Sequence, residues 1–176
     1  MDHYWRFGPA AVSVNEMCRR AGISKPALYR EFGGEEGLQL AALDHYRAQV
    51  LVPRQGALEA DVPFAAMRDG AIDALTSDLG TPPGCLFTRL RLSPSRVGPD
   101  VEARVRELEA EQLANYEAWV RRGVERGEVN PELEASFAAR YLDTQFAMIL
   151  TQMVLGVEPE LIRAQARLAT RVLLAG

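Results

Sequence analysis

The 176-residue chain has little of the chemistry that metals, disulfides or covalent catalysis require. Two cysteines, Cys18 and Cys85, are too few for a disulfide framework or a thiolate metal site. The two histidines, His3 and His45, have no metal-ligand spacing around them. No glycine-rich phosphate loop follows a strand pattern, and no nucleophile stands at a meaningful spacing from a base. The chain therefore offers no candidate catalytic residue, calls for no metal or cofactor, and is not expected to be an enzyme. Long apolar runs are missing as well. The start, MDHYWRFGPA, has no stretch of signal-peptide length, and the greasiest run, 146–157, is interrupted by Thr151 and Gln152 and is too short to cross a bilayer. A cytoplasmic, reducing compartment is the expectation. Lysine is almost absent: Lys25 stands alone and arginine supplies every other basic residue, a bias that fits the codon usage of a GC-rich genome better than selection for arginine's bidentate donors. A net charge of −4 excludes a protein that coats nucleic acid through a general positive field, though not one with a single basic face.

What is present is concentrated between Ser13 and Leu38, SVNEMCRRAGISKPALYREFGGEEGL. Ser13 followed three residues later by Glu16 forms a capping box, so a helix is expected over Val14–Ala21. Val14, Met17, Cys18 and Ala21 share one face of it. Gly22 ends it, because glycine accepts the left-handed backbone just past a helix C-terminus. Ser24 caps a second helix over Lys25–Phe32, with Pro26 in a first turn that needs no amide. Two short helices across a glycine-containing turn make a helix-turn-helix, whose second helix can enter the DNA major groove.

The run A-G-I-S-K-P-A-L-Y-R-E-F-G, with Ser13-Val14 three residues before Met17-Cys18 and Gly37-Leu38 soon after, resembles the N-terminal DNA-binding segment of the TetR/AcrR family of bacterial transcriptional repressors. The resemblance implies an all-α homodimer: a helix-turn-helix DNA-binding domain at 1–52, its first helix apparently truncated, then a larger helical effector-binding and dimerisation domain at 53–176. Two positions depart from the family pattern. Only Tyr4 to Phe7 resembles the end of the family's first helix, and Glu35 stands where a basic residue is usual.

The rest of the chain is read from punctuation and period. Helices are expected over 35–52, stopped by Pro53; over 63–79; over 85–92, stopped by Ser93-Pro94; over 100–126, ended by Gly127; over 131–155, opened by Pro131; and over 159–174, opened by Pro159. No strand-like alternation appears. The apolar residues of 131–155 and 159–174 cover more than one helical face, which suits two helices from each subunit in a dimeric four-helix bundle.

For DNA, Lys25 can donate to guanine O6 or N7, while Pro26 and Ala27 can touch a thymine methyl. The family resemblance implies a phosphate contact for Tyr29, with Arg30 further along the same helix. Ser13 and Ser24 cap helix ends whose free amides can hold phosphates. A twofold dimer requires a palindromic operator. Among the middle helices, where the resemblance places an inducer pocket, Phe64, Met67, Phe87, Tyr116, Trp119 and Phe146 suit a small hydrophobic effector, with Gln145, Arg89 and Arg91 as polar anchors. Cys85 is either an inert small thiol or a sensor. The expected function is a repressor released by its effector. The alternative is a dimeric helical ligand-binding protein with impaired DNA binding.

Overall fold

The computed structural model describes residues 1–77, 80–93 and 97–176, apart from the side chain of Ala10. The expected helix end at Leu79 and the breaker Pro94 lie outside the described residues. The described residues are predominantly helical, with no strand beyond an isolated bridge between Val129 and Leu174. The chain forms two compact units, 1–53 with 84–108, and 54–83 with 109–176. Residues 84–108 thus group with the N-terminal helices rather than with the rest of the larger domain.

The first unit contains α1 (Asp2–Phe7), α2 (Val14–Ala21), α3 (Lys25–Phe32), α4 (Glu35–Tyr46), α7 (Leu86–Arg91) and the start of α8 (Pro99–Glu125). Short as it is, α1 is firmly held. Trp5 is 3% exposed, its indole N–H donates to the Gly84 carbonyl at 3.1 Å, and its ring meets Tyr46 edge-on at 4.8 Å. The Tyr46 hydroxyl in turn donates to Cys85 Sγ at 3.2 Å. Cys85 is the residue that caps α7, its sulfur accepting the Thr88 N–H, so the expected helix over 85–92 begins one residue later. At the head of α8, Glu36 Oε1 accepts the Asp100 and Val101 amides at 2.7 and 3.3 Å, which satisfies first-turn donors that have no helical partner. Arg104 and Asp44 add an ion pair at 2.9 Å along the same two helices.

Pro53 does not stop the helix that begins at Glu35. A π-helical turn, Arg47–Leu51, follows α4, and α5 (Val52–Ala57) continues beyond it with Pro53 inside. In this turn the Val52 amide donates to Arg47 O, five residues back. Proline normally breaks a helix because its ring collides with the carbonyl four residues earlier. The wider turn just before it relieves that collision. It also brings Tyr46 and Leu51, 0% and 6% exposed, onto one side. At about 100° per residue an ordinary helix would set them about 140° apart.

The second unit contains α6 (Phe64–Thr76), the remainder of α8, α9 (Ala135–Val154) and α10 (Pro159–Thr170), followed by a 3-10 turn, Arg171–Leu173. Phe64, Ile72, Trp119, Leu142, Ile149 and Ile162 are among its most buried core residues. The Glu128 carboxylate accepts the Phe64 amide at 2.5 Å and so caps α6. Helix α9 starts four residues after Pro131. Asn130 Oδ1 accepts the Glu132 amide at 3.0 Å and holds Pro131 in a turn. Glu134 is the true cap, its carboxylate accepting the Ser136 and Phe137 amides at 3.1 and 2.8 Å. Those bonds, with one from the Ser136 hydroxyl first among them, hold the Glu134 carboxyl below its ordinary range.

Candidate nucleic-acid interface

Helices α2 and α3 form the motif expected from the sequence. Ser13 Oγ accepts the Glu16 amide at 3.2 Å, and Ser24 Oγ accepts the Ala27 amide at 3.3 Å. Gly22 sits between them at φ 66° and ψ 27°, a conformation that a side chain would strain. Val14 and Cys18 of α2 close on Leu28 of α3, which is 1% exposed, with Phe32 and Leu38 at the margin. Burial of Leu28 fixes the rotation of α3 and so decides which residues point outward. Gly37 serves the same end. A Cβ there would lie 1.7 Å from the Phe32 carbonyl oxygen, so only glycine lets α4 leave the end of α3 at this angle.

The capping box is only half made. Glu16 does not reach back to Ser13 but holds Arg19 Nη2 at 2.5 Å and Arg20 Nε at 2.8 Å. Charge-assisted bonds to two guanidinium groups outcompete one neutral amide. The Arg19 bond, then the Arg20 bond, pulls the Glu16 carboxyl below its ordinary value. Both arginines stay exposed but are partly neutralised, which reduces what they offer a phosphate.

On α3 the outward set is Lys25, Pro26, Tyr29, Arg30 and Glu31, with Ser24 exposed at its head and Ala27 half-buried. Lys25 Nζ lies 5.5 Å from the centre of the Tyr29 ring, so the two side chains stand together at the surface. Ser13 is exposed at the head of α2. The expected DNA-contact residues therefore share the heads and open face of this motif. Glu35 is exposed in the first turn of α4. Its charge adds to burial in raising the Tyr4 phenol to about 12.

Five of the six apolar residues expected to bind an effector belong to the second unit, as does Gln145, while the expected anchors Arg89 and Arg91 belong to the first. Phe64 stacks on Trp119 at 4.4 Å between ring centres, and Tyr116 meets Phe146 edge-on at 5.7 Å. Met67 packs partly buried against the same core, and Gln145 of α9 is half-buried. Phe87 is the exception: it lies buried in the first unit, under the Arg91 guanidinium at 5.4 Å. Arg68 was not expected at this core, yet it is 6% exposed. Its signal was its place in the sequence, four residues after Phe64 and four before Ile72, on the apolar stripe of α6.

No group of histidine, cysteine or carboxylate side chains that could hold a metal occurs among the described residues, and no described helix is long and apolar enough to cross a membrane.

Residues 4–42 match the sequence profile of the family described as bacterial regulatory proteins, tetR family. Over 147 residues the chain is 26% identical to the HTH-type transcriptional repressor ComR of Escherichia coli K12, spanning 81% of this chain and 70% of that one. Its fold is similar to that of a TetR-family regulator from Agrobacterium tumefaciens, with a TM-score of 0.84 at 16% identity, covering 97% and 90% of the two chains. It is similar too to a cysteine mutant of the TetR-family regulator CifR complexed with 26-bp double-strand operator DNA, with a TM-score of 0.81 at 24% identity, covering 98% and 91%. At these identities the structural likenesses speak to the fold alone.

Proposed function

Since the chain belongs to the tetR family of bacterial transcriptional regulators, we propose that it is a sequence-specific repressor that works in the cytoplasm, grips a palindromic operator as a homodimer, and is released by a small hydrophobic effector. In this reading 1–52 bind DNA, and 53–176 take the effector and dimerise. The observation that carries it is the outward set on α3. A lysine, a proline and a small residue head a helix whose apolar anchor, Leu28, is locked inward. Lys25 reaches a guanine edge, Pro26 and Ala27 meet thymine methyls, and Tyr29 and Arg30 meet the backbone. Ser13 and Ser24 present helix ends to phosphates.

One such helix makes few contacts and binds weakly at physiological salt, so the reading needs a second copy. The surface of the second unit supports one. Phe137, Met148 and Leu155 are 61%, 51% and 73% exposed. At about 100° per residue they fall within about 20° of one line along α9. Leu161, Leu168 and Val172 follow the same 7- and 11-residue spacing at the end of the chain and are 51%, 66% and 60% exposed. Apolar stripes on the outward sides of two helices that already bury their inward sides suit a twofold four-helix contact. Effector binding shifts the dimer between DNA-competent and released forms by its differential affinity for them. The Escherichia coli relative, a transcriptional repressor, agrees with this sign.

The test is an anisotropy titration of labelled DNA from upstream of the protein's own gene. Wild type binds a palindrome, with an affinity that falls steeply as salt rises. Tyr29→Ala binds more weakly at fixed salt with an unchanged melting temperature. Equal affinity for the two would remove Tyr29 from the interface. Absence of binding at every salt concentration would favour the alternative, a ligand-binding dimer whose exposed Glu35 repels the backbone.

A further inference from the structure

Helix α6 buries Phe64, Arg68, Ile72 and Thr76, each four residues from the next. Three of them suit a core. Phe64 and Ile72 are apolar, and the Thr76 hydroxyl is satisfied by the Ile72 carbonyl at 2.9 Å. Arg68 is a charge in the same row. Its Nε and Nη2 both meet a single oxygen, Asp69 Oδ1, at 2.9 and 2.8 Å. That carboxylate is also 3.6 Å from Arg167, whose closer partner is Asp73 at 2.6 Å. The third nitrogen, Nη1, is shut off from solvent and has no acceptor among the described residues.

Such an arrangement is costly. A buried guanidinium is tolerated when all its donors are met, and an apolar side chain of similar size usually serves stability as well or better. Two N–H bonds of Nη1 therefore wait for an acceptor that the described residues do not supply. The neighbourhood is apolar and aromatic: one turn away Phe64 lies on Trp119, and Met67 packs partly buried against the same core.

We propose that Arg68 anchors the head group of the effector, and that the effector is a small monocarboxylate with an apolar body. The proposal rests on the reading of the second unit as the effector-binding part. A carboxylate fits better than a neutral acceptor because Asp69 meets only Nε and Nη2, and a charge-assisted bond to the remaining nitrogen is stronger than a neutral one. A dianion such as a phosphate fits less well, because a single nitrogen is free.

The experiment measures calorimetric binding of straight-chain carboxylates of six to twelve carbons, each beside its methyl ester, to the full chain. Wild type binds the best acid at least tenfold more tightly than its ester. Arg68→Met loses that preference by tenfold or more while keeping ester affinity, and Arg68→Lys falls between the two. Ligand-free Arg68→Met melts no lower than wild type, since it removes an unmet donor; a merely structural arginine would lower the melting temperature. Where Arg68→Met fails to fold, the acid-to-ester ratio of Arg68→Lys is read instead, and a ratio equal to that of wild type overturns the proposal. Equal affinity for acid and ester in wild type overturns the anchor but leaves an apolar effector site standing. Acid preference that survives Arg68→Met places the anion elsewhere and also overturns it. Failure of every acid to bind overturns it too, while release of operator DNA by a neutral apolar compound would keep the wider effector reading alive.

Discussion

Replacing Tyr4 by phenylalanine should make this protein more stable. Tyr4 is 2% exposed, and its hydroxyl has no hydrogen-bond partner among the described residues. In the unfolded chain that hydroxyl is hydrated, and folding strips the water away without replacement. An unmet buried polar group costs about 1–3 kcal/mol. Phenylalanine keeps the ring and its burial, and the small space left by the oxygen takes back part of the gain. A net gain of about 1–2 kcal/mol remains, which is a rise of roughly 2–8 °C in melting temperature for a chain of this size. The same hydroxyl makes an alkaline prediction. Burial, then the Glu35 charge, raises its pKa from 10.0 to about 12. A raised pKa means the folded state holds a proton that the unfolded state has released, so stability is whole below pH 10 and drains away as pH climbs towards 12. Between pH 10 and pH 11 wild type loses about 1 kcal/mol through this group, because the unfolded phenol is only half ionised at pH 10, and Tyr4→Phe does not. Urea unfolding followed by circular dichroism at pH 7, 9, 10 and 11 checks both parts. Other phenols and thiols titrate in both proteins and cancel in the difference. A less stable Tyr4→Phe at pH 7, or a gap that stays constant up to pH 11, would refute the reasoning.

Gly123→Ala should cost about 1–3 kcal/mol, as overpacked cores do, because its Cβ would lie 2.5 Å from Val129 Cγ2 and 3.0 Å from Phe64 Cδ2. An unchanged thermal melt would show that Val129 gives way freely. Leu168→Asp, at a position 66% exposed on α10, should convert a dimer to a monomer in light scattering with its helix content intact. A persistent dimer would place the twofold contact elsewhere.

The helix-turn-helix could be read from sequence because its signals are local. Ser13, Gly22 and Ser24 each act within three or four residues of themselves, and the structure shows each in its expected role. The π turn before Pro53 is not legible in the sequence, because the burial of Tyr46 and Leu51 is decided by packing against distant parts of the chain. Glu134 is hidden as a cap in the sequence because Pro131 gives a stronger helix-start signal nearby, and the Asn130 side chain diverts that proline into a turn. Phe87 looked like a partner of Phe64 by type, yet contact grouping puts it with the N-terminal helices. The burial of Arg68 is not legible in the sequence because a charge on a helix is ordinarily solvated, and only packing reveals one that is not.

The π turn at Arg47–Leu51 also bears on how the long helical stretch from Glu35 to Ala57 breathes. Pro53 brings no amide to the ladder just where the ladder has shifted register. Deuterium should therefore enter the backbone first around this seam, and the turns on its two sides should become labelled at separate rates rather than as one rod.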